Sequence, residues 1–158
     1  MPVVHVRAPV KPSEDARKVE RALRTVFPDA VVAAGPMELV GRTDSLQAFR
    51  NLVWREKILD AARRILLGSL DESGRRARFH LSKQAAFGGH VSFAIAEAPL
   101  GDLEVVVEGE GLEDLFKEIA PPTLRGKPVT EEEYQRHIEK RKKLRAAPEP
   151  VVAPAEEE

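Results

Sequence analysis

The sequence predicts an α+β sandwich, a mainly antiparallel sheet with helices packed on one face. Short runs of alternating apolar residues recur along the chain, amphipathic helical stretches fall between them, and two pairs of runs lie close enough to form hairpins. At 158 residues the chain can bury one substantial core. Three segments follow from composition: a single α/β domain over residues 1–129, a basic C-terminal helix over 130–146, and a flexible Pro/Ala/Glu tail over 147–158.

The first strand is Val3 to Val10, with Val4, Val6, Ala8 and Val10 on one face and His5 and Arg7 on the other. Lys11-Pro12-Ser13-Glu14-Asp15 then offers a serine N-cap and two acids that suit the positive end of a helix. Val19, Ala22, Leu23 and Val26 form that helix's buried stripe, and Phe27-Pro28 ends it. A strand at Ala30 to Ala34 meets Gly35-Pro36, and Met37 to Val40 is its continuation or hairpin partner. Thr43 or Asp44 opens the longest helix, which ends near Leu67-Gly68. In it Ile58, Leu59, Ala62, Ile65 and Leu66 face the core, while Arg50, Lys57 and Arg64 line up on the solvent side.

Arg75 to Ser82 is a strand with Ala77, Phe79 and Leu81 inward and Arg76, Arg78 and His80 outward. The loop from Lys83 leads into a second strand, Val91 to Ile95, so that His90 and Ser92 join the outward set across a hairpin. Pro99-Leu100-Gly101 turns the chain into a strand at Leu103 to Val107. Gly111 begins a short helix that buries Leu112, Leu115, Phe116 and Ile119. Ala120 to Pro128 carries too much proline for regular structure. Thr130-Glu131-Glu132-Glu133 is a capping-box start for the terminal helix, and Arg136 through Arg145 makes its end basic.

Composition removes several function classes. Net charge is −1, so no global field steers the chain to nucleic acid or membrane. The absence of cysteine excludes disulfides, iron–sulfur clusters and thiolate chemistry. No leader pattern opens the chain and no apolar run approaches a membrane span, so a cytoplasmic location is expected. One asparagine and three glutamines beside abundant Arg and Glu give the profile of a hyperthermophile protein, in which many arginines exist to pair with glutamates.

The candidate functional residues are cationic. Arg76, Arg78, His80 and His90 make a hydrogen-bonding sheet face suited to phosphates and ribose hydroxyls, and the loop adds Lys83 and Gln84. Against this stands ordinary sheet pairing, since Asp102, Glu104 and Glu108 share the outward register of the next strand. Phe87, the one loop aromatic, reads as tucking back over the core. Lys57 and Arg64 form the second basic candidate, whose plainer reading is a solvated helix face. Ten basic residues face five acidic ones between Arg42 and Lys83, and eight acids face one lysine between Glu97 and Glu118. This polarity fits either an RNA-facing side or subunit docking. His5, His80 and His90 lack metal-ligand spacing and Gly88-Gly89-His90 lacks a P-loop lysine, so no metal, cofactor or catalytic residue is expected.

Lys57-Ile58-Leu59-Asp60-Ala61-Ala62-Arg63, Lys83 to Phe93, Pro99-Leu100-Gly101 and Ala120-Pro121-Pro122-Thr123 occur in an order that resembles archaeal uncharacterised protein family two-hundred-and-one. The resemblance covers roughly Val3 to Val129. It implies a fold like the large-subunit ribosomal protein that binds 5S ribosomal RNA, RNA binding, and a homodimer. The expected function is therefore a non-catalytic RNA-binding or ribonucleoprotein-associated protein. Its contacts would be Arg76, Arg78, His80, Lys83, Gln84, His90, Lys57 and Arg64. The rival is a structural or protein-interaction homodimer without RNA.

Overall fold

The computed structural model describes residues 2–94 and 101–146. The chain divides into two compact units, Met1–Pro121 and Pro122–Glu158. In the first, β1 (Val3–Pro9), β2 (Val31–Ala34), β3 (Glu38–Thr43), β4 (Arg76–Ser82) and β5 (Asp102–Glu108) form one sheet in the order β2-β3-β1-β5-β4. Every neighbouring pair is antiparallel. Five helices complete the unit: α1 (Ala16–Val26), α2 (Gln47–Arg55), α3 (Leu59–Gly68), α4 (Lys83–Phe87) and α5 (Leu112–Ile119). The fold is the α+β sandwich that the sequence predicts.

Burial follows the two periodicities. Val4, Val6 and Ala8 of β1, Ala77, Phe79 and Leu81 of β4, and Leu103, Val105 and Val107 of β5 point into one core. The expected stripe of α1, Val19, Ala22, Leu23 and Val26, packs onto it. Phe49 of α2 stacks between Phe27 and Phe79 at centroid distances of 6.2 and 5.7 Å, with Phe93 edge-on at 6.2 Å.

Several local expectations are corrected. Asp15, rather than Ser13, caps α1, its side chain accepting the Arg17 N–H at 2.9 Å. Glu14 is drawn inward instead, where its Oε1 accepts from the Lys11 N–H and from Lys83. The single long helix is two helices, because Lys57 adopts φ +58° and ends α2. The Ile58 N–H reaches the Val53 carbonyl and the Lys57 N–H reaches that of Trp54, a Schellman stop built without glycine.

The expected hairpin loop after β4 is the helix α4. Ser82 caps it by accepting the Ala85 N–H at 3.1 Å, and Lys-Gln-Ala-Ala are strong helix formers. The chain then returns beside β4 without forming a full strand, through the Ser82 N–H to Ser92 carbonyl bond, the Ala94 N–H to His80 carbonyl bond and the Leu81–Phe93 bridge. Ile95 and the Pro99-Leu100 part of the expected turn lie outside the described residues.

In the second unit, the segment expected to be irregular holds a small hairpin of β6 (Thr123–Leu124) and β7 (Lys127–Pro128). Arg125 and Gly126 turn it with φ of 55° and 79°, the left-handed pair that a tight hairpin requires. The helix α6 (Glu131–Ala146) follows, capped by the Thr130 hydroxyl accepting the Glu133 N–H at 3.1 Å. The tail expected over 147–158 lies outside the described residues.

Candidate nucleic-acid interface

Strand alternation places the second set of side chains on the sheet face away from the core. Register sets His80 of β4, Glu104 of β5 and Arg7 of β1 in one row across three strands, and Arg78, Val106, His5, Arg42 and Val31 in the next. The helices of this unit pack on the opposite side, and Arg7, Arg76 and Arg78 are well exposed. A shallow groove of about 300 Å³ runs among His5, Arg7, Val40, Arg76, Glu104 and Glu108.

Glutamates organise the cations of this face. Glu104 receives Arg78 Nη2 at 2.6 Å, His80 Nε2 at 3.6 Å and Arg7 Nη1 at 3.9 Å. Glu108 lies 4.0 Å from Arg76 Nε and 3.9 Å from His5 Nε2, and Glu38 takes Arg7 Nε at 3.2 Å. Cross-strand Arg–Glu pairing is therefore present, as the register of Glu104 and Glu108 implied. A guanidinium carries five N–H donors, more than these pairs use.

The eight expected contact residues do not make one surface. Arg76, Arg78 and His80 share the sheet face. Lys83 departs from the expected solvated loop cation: it is fully buried, its Nζ donating to the Pro9 carbonyl at 2.6 Å and to Glu14 Oε1 at 2.9 Å. Gln84 is exposed on α4. His90 lies on the helix side, where its Nδ1 is 3.1 Å from Glu56 Oε1 at the C-cap of α2. That hydrogen bond is the chief reason the Glu56 carboxyl titrates below its ordinary value, partial desolvation acting against it. Lys57 sits in the bend between α2 and α3 and Arg64 on the outside of α3, so the expected stripe with Arg50 is broken. Arg50 instead lies over the Trp54 ring at 4.7 Å.

Phe87 also differs from expectation. It is 38% exposed, beside Lys18 and Arg21 of α1, two cations that sequence reasoning passed over. The available signal was their spacing of three on one helix flank without an intervening acid on that flank. Among the described residues no group of three His, Cys, Asp or Glu side chains is placed to hold a metal ion.

A family model described as RNA binding matches residues 3–108, which span the whole sheet. A UPF0201 protein of Aeropyrum pernix is 36% identical over 137 residues, covering 81% of this chain and 91% of that protein. A UPF0201 protein of Methanopyrus kandleri is 38% identical over 142 residues, covering 77% and 86%. The crystal structure of the UPF0201 protein from Methanococcus jannaschii superposes with a TM-score of 0.73 at 33% identity, covering 81% of this chain and 99% of that one.

Proposed function

We propose a function from one premise: this chain belongs to the UPF0201 family of archaeal proteins, matched by a model described as RNA binding. It acts in the cytoplasm as a non-catalytic RNA-binding protein associated with a ribonucleoprotein, and it reads backbone and shape more than bases. The observation that carries this is the sheet face free of this unit's helices, on which Arg7, Arg42, Arg76 and Arg78 present guanidinium groups beside His5 and His80. Exposed Arg–Glu pairs are worth about 0–1 kcal/mol each, so phosphodiester oxygens compete for the remaining donors at small cost. No phenylalanine, tyrosine or tryptophan ring stands on this face among the described residues, which favours phosphate and ribose contacts over base stacking. A docking mode like that of the ribosomal protein that carries 5S ribosomal RNA is part of this reading.

The test is a filter-binding titration of structured archaeal RNA against the wild-type chain and an Arg76→Ala/Arg78→Ala variant. The variant should bind roughly tenfold more weakly with a shallower salt dependence. Equal binding by both proteins would contradict a role for this face.

A second reading, a homodimer, is favoured by a different observation. β2 is a sheet edge, and Val31 and Met37 at that end are 78% and 67% exposed. An edge strand with apolar neighbours is a template for pairing with a second copy. Sedimentation equilibrium of Val31→Glu/Met37→Glu checks it: a dimeric wild type and a monomeric variant support this reading, and a monomeric wild type removes it.

A further inference from the structure

We propose that the groove between α1 and α4 seats one unpaired RNA nucleotide, with its base on Phe87 and its flanking phosphates on Lys18 and Arg21. This deepens the RNA-binding reading and rests on it, but it places a contact away from the sheet face. The groove holds about 310 Å³, and its described lining is Lys18, Arg21, Ala22 and Phe87. Two cations, a methyl floor and a ring stand together without a carboxylate among them. That is the composition that single-stranded nucleic acid selects, since a base needs a flat apolar face and its phosphates need cations nearby.

The cations here differ from those on the sheet. Arg7, Arg76 and Arg78 each hold a glutamate, whereas the side chains of Lys18 and Arg21 have no ion pair or hydrogen bond among the described residues. The acids of α1 and of the turn before it are already engaged among the described residues. Glu20 turns to Arg24 at 2.9 Å on the other flank of α1, Asp15 caps the helix, and Glu14 is buried against Lys83. Like charges three apart on one flank disfavour the helix, so their placement serves something other than helix stability.

Phe87 is the exception among the six phenylalanines: Phe27, Phe49, Phe79, Phe93 and Phe116 are all buried. The short helix that carries it is tied down at both ends. Ahead of it, Lys83 is anchored to Glu14 and to the Pro9 carbonyl. Behind it, Arg55 Nη2 donates to the Gly89 carbonyl at 2.6 Å and His90 is bonded to Glu56. A platform fixed before the base arrives loses little freedom on binding. Gln84, exposed and three residues before Phe87, shares that face of α4 and offers an amide donor and acceptor to a base edge.

The experiment is fluorescence anisotropy of the full chain with two probes, a ten-nucleotide single-stranded RNA of mixed sequence and a blunt RNA duplex. Phe87→Ala should weaken single-strand binding roughly tenfold while leaving duplex binding unchanged, and Phe87→Tyr should keep it. Lys18→Gln/Arg21→Gln should lower the single-strand salt slope by about 1.4. Zero-length ultraviolet crosslinking of the wild-type chain, mapped by mass spectrometry, avoids any folding defect of a variant: adducts on the α4 peptide support the seat, and adducts confined to the sheet strands overturn it. If wild type binds RNA and Phe87→Ala binds the single strand equally well, this site is wrong and the broader reading stands. If wild type binds neither probe, both are wrong.

Discussion

Lys83 and Glu14 form an ion pair from which water is almost wholly excluded, with the side chains 0% and 5% exposed. Such a pair contributes little net stability, yet removing one partner strands a charge in the interior at a cost of about 3–5 kcal/mol. Lys83→Met should therefore lower the urea midpoint sharply, and Lys83→Met/Glu14→Leu should recover most of the loss. A double variant as unstable as the single one would mean that the charges themselves are required. Glu14 Oε2 is buried with no hydrogen-bond partner among the described residues, so the pair is incompletely satisfied, which is why the apolar exchange should be tolerated. Glu56 supplies a pH handle of known sign. Its folded-state pKa is depressed, chiefly by the His90 hydrogen bond, so its contribution is present above the ordinary carboxylate pKa and is lost as pH falls through the depressed one. Carboxyl NMR titration should give a midpoint below the ordinary value, and His90→Ala should move it back up. An unmoved midpoint would show that the hydrogen bond is not formed in solution.

At the scale of elements, the break between α2 and α3 was hidden because its left-handed residue is Lys57, where a glycine would have marked the stop. A non-glycine residue in that conformation carries strain, so Lys57→Gly should raise stability by roughly 0.5 kcal/mol in thermal melts. A destabilised Lys57→Gly protein would contradict the Schellman geometry. α4 was hidden for a different reason: Gly88-Gly89 suggests a hairpin turn, and only the Ser82 cap with four helix formers after it tips the chain into a helical turn. The strands were the legible elements. Alternation alone placed Ala77, Phe79 and Leu81 inward and Arg76, Arg78 and His80 outward, because a one-residue slip would expose the whole apolar set.

For the whole molecule, the α+β class was legible but the strand order was not. β4 pairs with β5, beyond the intervening helix and outside its expected hairpin, and such long-range pairing is set by the assembled core. The same register decides which cations are paired. The acids Glu104 and Glu108 could be foreseen as rivals of the sheet face, yet only the fold shows Glu104 gathering Arg7, Arg78 and His80 while Lys18 and Arg21 have no side-chain partner among the described residues. In a chain whose net charge is −1, the proposed RNA recognition would have to rest on local charge. The most direct test of RNA binding is filter binding of the wild-type chain to structured RNA at about 50 and 200 mM salt. With three to four phosphates contacted, binding near micromolar at the lower salt should weaken roughly 40- to 150-fold at the higher. No binding at either salt, or an affinity indifferent to salt, would contradict the account.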